Sequence, residues 1–133
     1  MKSINGVSFN LPVKFLSKDE IMIKIIDFLN EHNYKFTEKV VIQKKLKPID
    51  FEVQTSDSKV AIMIFMWNRS LPYDKVYYLE DYINKFDIDK VVLICKQISP
   101  RAKEIIKKDK INIEIIFEAD FRTMKESPLL GRL

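Results

Sequence analysis

Hydrophobic positions along the chain recur in two periods, and each change of period marks the passage between a helix and a strand. Ile21, Ile25, Phe28 and Leu29, with Met22 beside them, fall on one side of a helix. Ser17 and Glu20 have capping-box spacing just ahead of that stripe, and Leu16 and Ile21 are placed as a hydrophobic staple, so the helix starts at Ser17. Asn33 tolerates the left-handed conformation that closes a helix. Residues 34–45 then alternate as a strand with Phe36, Val40 and Ile42 inward. Residues 49–55 and 60–67 read as two more strands, and the polar turn around Asp57 and Ser58 is short enough to make them an antiparallel pair.

Beyond Pro72, a favourable first-turn residue, Val76, Leu79, Ile83 and Phe86 give a second amphipathic helix, whose other side displays Tyr77, Tyr78, Glu80 and Asp81. Residues 91–95 are apolar without alternation, as in a strand covered on both faces. Ser99 and Pro100 open a helix over residues 100–110 with Ala102, Ile105 and Ile106 inward, and residues 111–117 form the last strand. A strand, helix and strand in that order make a parallel, right-handed crossover. The pattern predicts an α/β domain with a mixed sheet, antiparallel early and parallel late, and helices on both faces. Its divisions are an arm over residues 1–16, a core over 17–119 and a tail over 120–133, where Pro128, Leu129 and Leu130 either fray or dock on a partner.

Composition narrows the chemistry. A chain of 133 residues with 47% hydrophobic content fits one folded domain. Gly6 and Gly131 are the only glycines, so neither a Walker-type loop nor a dinucleotide fingerprint can be built. His32 is the only histidine, which excludes histidine-paired metal sites and disfavours Ser-His and Cys-His catalysis. Cys95 lies within an apolar run and is expected to pack as a small hydrophobe. The longest apolar stretch is far short of a membrane span, so a soluble, cytoplasmic protein is expected. The abundance of Ile and Lys suggests a thermophilic or AT-rich source.

The net charge of +4 permits a polyanionic partner. It is carried by 19 lysines against 4 arginines. Lysine is a point charge suited to phosphate, whereas bidentate reading of guanine falls to arginine. Binding of DNA or RNA is therefore expected to be mostly sequence-independent.

The strand pair carries the most specific signal. Asp50 opens the first strand, and the second reads Ile62, Met63, Ile64, Phe65, Met66, Trp67. This layout resembles the restriction-endonuclease-like superfamily, the PD-(D/E)xK nucleases, and within it a Holliday-junction-resolvase-like or RecB-like nuclease domain. There an Asp opens one strand, and an acid-x-Lys pair follows on the next in a run such as I-E-V-K-x-W. The resemblance spans residues 17–117 and implies a three-layer α/β/α fold with a mixed central sheet. It also places Met63 where the acid is needed and Phe65 where the lysine is needed. A thioether and a phenyl ring can neither hold a divalent cation nor assist an attacking water.

The resemblance thus implies a nuclease-like protein that no longer cuts, with no metal and no cofactor. Asp50, Glu52 and Glu20 are the acidic remnants, Glu20 being explained by its cap. Lys44, Lys45 and Lys47, with Asn68 and Arg69 at the end of the central strand, are expected to hold phosphates, and Arg101, Lys103 and Lys107 form a second candidate patch. The expected partner is nucleic acid, DNA before RNA. The alternative is a protein-interaction or scaffold subunit of a nucleic-acid-processing complex, or a homodimer through Tyr77 and Tyr78. A metal-dependent nuclease with a migrated site, using Asp50 and Glu52 with Lys59 or Lys75, is the third reading.

Overall fold

Helix α1 (Lys18–Glu31) starts where its capping box places it: Ser17 Oγ accepts the Glu20 N–H at 3.1 Å, and Glu20 Oε1 accepts the Ser17 N–H at 2.9 Å. Asn33, with φ of 58°, turns the chain out of the helix. The computed structural model describes residues 14–133, so most of the expected arm lies outside the described residues.

Five strands follow and pair in chain order: β1 (Lys35–Val40), β2 (Ile49–Gln54), β3 (Lys59–Phe65), β4 (Lys90–Cys95) and β5 (Ile113–Phe117). β1, β2 and β3 are antiparallel neighbours; β3, β4 and β5 are parallel. The mixed sheet is the one expected from the sequence. Helices α2 (Tyr73–Lys85) and α3 (Pro100–Lys108) make the two crossovers. Both crossovers step the same way across the sheet, and right-handed connections then put both helices on one face. α1 and the short α4 (Glu118–Thr123) cover the other. β3 lies between the layers, with Ile62 and Ile64 packed toward α1 and Ala61, Met63 and Phe65 toward α2.

Four details differ from the sequence reading. The first strand ends at Val40 rather than Lys45: its pairing with β2 passes the left-handed Lys39 (φ 52°) and stops with Val40 opposite Ile49. The last strand begins at Ile113, two residues late, after Ile111 has closed the α3 turn with its N–H on the Ile106 carbonyl. On α2 Tyr82 is fully buried alongside Val76 and Leu79, while Ile83 and Phe86 are only partly covered. The expected frayed tail instead folds back: Leu129 is completely buried beside Phe28 and Phe121, and only Leu130 of the trio with Pro128 is exposed.

Cys95 packs in the α2-side core, and burial pushes its thiol up to about 12, with the Lys103 charge pulling weakly the other way. At pH 8 roughly one thiol in 10,000 is then ionised, and the thiolate is the nucleophile. Iodoacetamide at pH 8 should leave the native protein unlabelled and label it fully in guanidinium. Equal rates in the two conditions, read by mass spectrometry, would contradict this burial.

Candidate nucleic-acid interface

β2 and β3 part company at Asp50. Their backbone pairing runs from Gln54 opposite Lys59 to Phe51 opposite Ile62 and goes no further. Regular alternation would put Ile49, Phe51 and Val53 on one face. Ile49 instead packs toward α2, while Phe51 and Val53 pack toward α1, so the strand rotates about Asp50. The neighbouring strand turns with it, since Phe36 and Val40 also pack on opposite sides, across the left-handed Lys39.

The gap opened by that rotation is bridged by the Asp50 carboxylate. Asp50 Oδ2 accepts the Ile64 N–H at 2.7 Å, a ladder donor of β3 left without a β2 partner. The same oxygen lies 3.0 Å from Lys47 Nζ, and Oδ1 lies 3.0 Å from Lys18 Nζ. Asp50 is one of two buried charged residues among those described. A buried carboxylate needs partners of this kind.

Lys47 is fixed from two sides. Its N–H donates to Tyr78 Oη at 2.8 Å, and its carbonyl accepts from Tyr82 Oη at 2.6 Å. The two tyrosine hydroxyls are 3.1 Å apart. Burial, the Tyr78 hydroxyl and the Asp50 charge all raise the Tyr82 pKa, which keeps that phenol protonated as a donor. The clamp aims the Lys47 ammonium toward Phe65, 5.2 Å from its ring centroid. Tyr78, expected on the outer side of α2, therefore points toward the sheet edge and is engaged within the domain.

Between these groups lies an open cleft of about 640 Å³ walled by Phe65, Trp67 and Tyr78 and carrying four ammonium groups, from Lys18, Lys45, Lys47 and Lys75. Lys75 sits over both Trp67 (5.3 Å) and Tyr78 (4.9 Å), and Arg69 lies 4.8 Å from Trp67. The cleft opens beyond the carboxyl ends of the parallel strands, the edge at which open α/β sheets usually bind ligands.

The sequence candidates fall as follows. Met63 is fully buried and Phe65 nearly so, both in the α2-side core, with Phe65 also reaching the cleft wall. Glu20 is exposed and held in its cap, and the Ser17 amide and hydroxyl lower its pKa. Glu52 lies 4.0 Å from Lys59, not beside Asp50's partners. Among the described residues, no three His, Cys, Asp or Glu side chains gather closely enough to share a metal ion. Lys45 and Lys47 line the cleft, and Lys44 is exposed in the loop before them. Asn68 Oδ1 accepts from Lys96 Nζ at 2.6 Å. Arg101 lies over Tyr73 and Lys103 over Phe117, while Lys107 is exposed in the last turn of α3.

Sequence reading missed Lys18 and the tyrosine clamp. Lys18 follows the N-cap directly, so the capping box itself placed it at a helix entrance. Its proximity to Asp50 is a long-range fact that no local spacing carries. Tyr82, four residues after Tyr78 and three after Leu79, did lie on the apolar stripe.

Comparison with known proteins adds the fold. No family model matches the chain, and no curated protein sequence does. Among solved structures, a protein of unknown function, AF1548, superposes with a TM-score of 0.58 at 15% identity, over 80% of this chain and 60% of that one. A repair endonuclease from Pyrococcus abyssi gives 0.50 at 14% identity, over 77% of this chain and 48% of that one. The MspJI restriction endonuclease in complex with an oligonucleotide gives 0.48 at 10% identity, over 82% and 33%. The chain thus spans about 60% of the length of AF1548 and about half that of the repair endonuclease. With its mixed five-stranded sheet between two helical layers, the chain has the restriction-endonuclease-like fold.

Proposed function

We propose that this domain binds nucleic acid through its phosphates, largely without regard to sequence, and does not hydrolyse it. The observation that carries the reading is the state of Asp50. Its two oxygens are taken by the Ile64 amide and by two ammonium groups at 3.0 Å. A divalent cation does not fit this donor set: it would replace those ammonium groups and find a methionine and a phenyl ring in place of further oxygen ligands. What is left in the cleft is cationic, and four lysines in one opening suit a chain of phosphates.

The migrated-site alternative loses ground here, since Lys59 lies against Glu52 and Lys75 is turned toward Trp67 and Tyr78. A homodimer through Tyr78 is likewise disfavoured by the clamp on Lys47.

The test is fluorescence anisotropy with labelled DNA of mixed sequence across a salt series. Each phosphate neutralised contributes a slope of about −0.7 to −0.9 in log K against log salt. The four cleft lysines, less the Asp50 charge, leave about three phosphates to neutralise, which gives a slope of about −2 to −3, or roughly a twenty- to fortyfold loss between about 50 and 200 mM salt. The DNA should remain intact with millimolar magnesium or manganese. Absence of binding at 50 mM salt would end the binding claim, and metal-dependent cleavage lost in Asp50→Asn would end the claim of inactivity.

A further inference from the structure

The cleft is one end of a longer feature. All eight cation–π contacts recorded among the described residues lie at the same edge of the sheet. Trp67 follows β3, and Tyr73 is the first residue of α2, reached from that strand end. Arg101 and Lys103 are in the first turn of α3, just beyond β4, and Phe117 ends β5. Phe15 joins them because the adjacent Leu16 N–H is bound at 2.8 Å by Glu118 Oε2, immediately after β5. Lys96 and Arg122 lie 4.4 and 5.5 Å from the Phe15 ring. Phe15 and Tyr73 are the two rings of this series left about half exposed, at 46% and 45%.

Carboxylates offset the strip only in part, since Asp50 is paired with Lys18 and Lys47 and Glu118 with Arg122. Both are buried, and Asp120 accepts the Phe117 N–H at 3.1 Å. Glu20 is held by its cap, which leaves the exposed Asp19, Asp74 and Glu104 against the larger number of cations. The strip is therefore a run of cations, each set within about 6 Å of an aromatic face.

We infer that this edge takes single-stranded nucleic acid in preference to duplex, with its cations on successive phosphates and the exposed rings of Phe15 and Tyr73 stacked on unpaired bases. The inference rests on the phosphate-binding reading above and specifies its ligand. A duplex offers phosphates to the lysines but hides its base faces, so the rings would contribute nothing. A single strand offers both within one nucleotide, and a cationic groove with interleaved aromatics is how such strands are held without sequence preference. The strip's two side-chain amides are each held through one atom: Asn68 Oδ1 accepts from Lys96, and Gln97 Nε2 donates to the Asn68 carbonyl at 3.1 Å. With those groups turned to partners within the domain, DNA and RNA strands should bind alike.

The experiment compares oligothymidylate and oligouridylate of about 20 nucleotides with a duplex of equal length, a size that exceeds the 4–16 nucleotides typical of such grooves. Both single strands should bind within threefold of each other and about tenfold or more tighter than the duplex. Tyr73→Ala and Phe15→Ala, both at exposed positions, should each cost single-strand affinity about tenfold and leave duplex affinity unchanged. Equal or tighter duplex binding, or single-strand affinity indifferent to both substitutions in folded protein, would overturn this inference and leave phosphate binding intact. A tenfold preference between the two sugars would overturn the claim that the sugar is not read. Failure of every probe to bind at low salt would overturn the phosphate-binding reading itself.

Discussion

Asp50→Ala is expected to destabilise the domain by about 1–3 kcal/mol, the usual cost of leaving a buried donor unsatisfied, with a smaller loss from its partly exposed lysine partners. The change strands the Ile64 N–H in the core and leaves the Lys47 ammonium, anchored through its own backbone, without its counter-charge. An acid kept mainly to hold a metal behaves differently, because its removal in metal-free protein relieves repulsion rather than breaking a contact. Urea denaturation of the two proteins measures the difference. Asp50→Asn should fall between them, since an amide oxygen can still accept from Ile64 but offers no charge to Lys18 and Lys47. If Asp50→Ala matches the parent within about 0.5 kcal/mol, the carboxylate does not hold the splayed strands together.

The second large effect concerns an attempt to restore the acid-x-Lys pair. Met63→Glu combined with Phe65→Lys should not yield a metal-dependent nuclease; it should unfold the domain or cost it several kcal/mol. Met63 is completely enclosed by apolar side chains of the α2-side core, so a carboxylate there has neither water nor a donor. Phe65 contributes both to that core and to the cleft wall, and a lysine in its place would also push against Lys47. Circular dichroism on heating and a manganese-dependent cleavage assay read the two outcomes. A folded double variant that cuts DNA would show that the site was merely short of two side chains. The structural expectation is that the core around it has closed.

The fold was legible wherever one period dominated a segment. The α1 stripe, the apolar runs of β3 and β4, and the Ser99–Pro100 helix start are local patterns, and each gave its element nearly to the residue. The order of those elements then fixed the mixed sheet, because short turns allow only antiparallel neighbours and helical crossovers only parallel ones. Legibility failed where a left-handed residue broke an alternation, as at Lys39, and where a short apolar group packed at long range, as at Leu129. At the candidate site, the loss of an acid and a lysine from β3 was visible by position alone. The compensating bonds of Asp50 were not, since Lys18, Lys47 and Ile64 approach it from three separate segments. The lysines of residues 44–47 looked alike in the sequence. Only the hydroxyls of Tyr78 and Tyr82 distinguish Lys47 as the one whose backbone is held.

Each strand of the sheet lies beside the strand that precedes it in the chain. The separations to be closed during folding are therefore small: a hairpin, another hairpin, then two helical crossovers. Topologies of this kind pay little loop-closure entropy before their contacts form, and they can assemble from the amino end while synthesis continues. The exception is the final turn of chain, because the pocket that Leu129 fills between α1 and α4 closes only after β5 has docked. Until then an apolar opening stays uncovered on an otherwise finished sheet, and a nascent chain arrested before that residue would be the species most prone to clump or to recruit a chaperone.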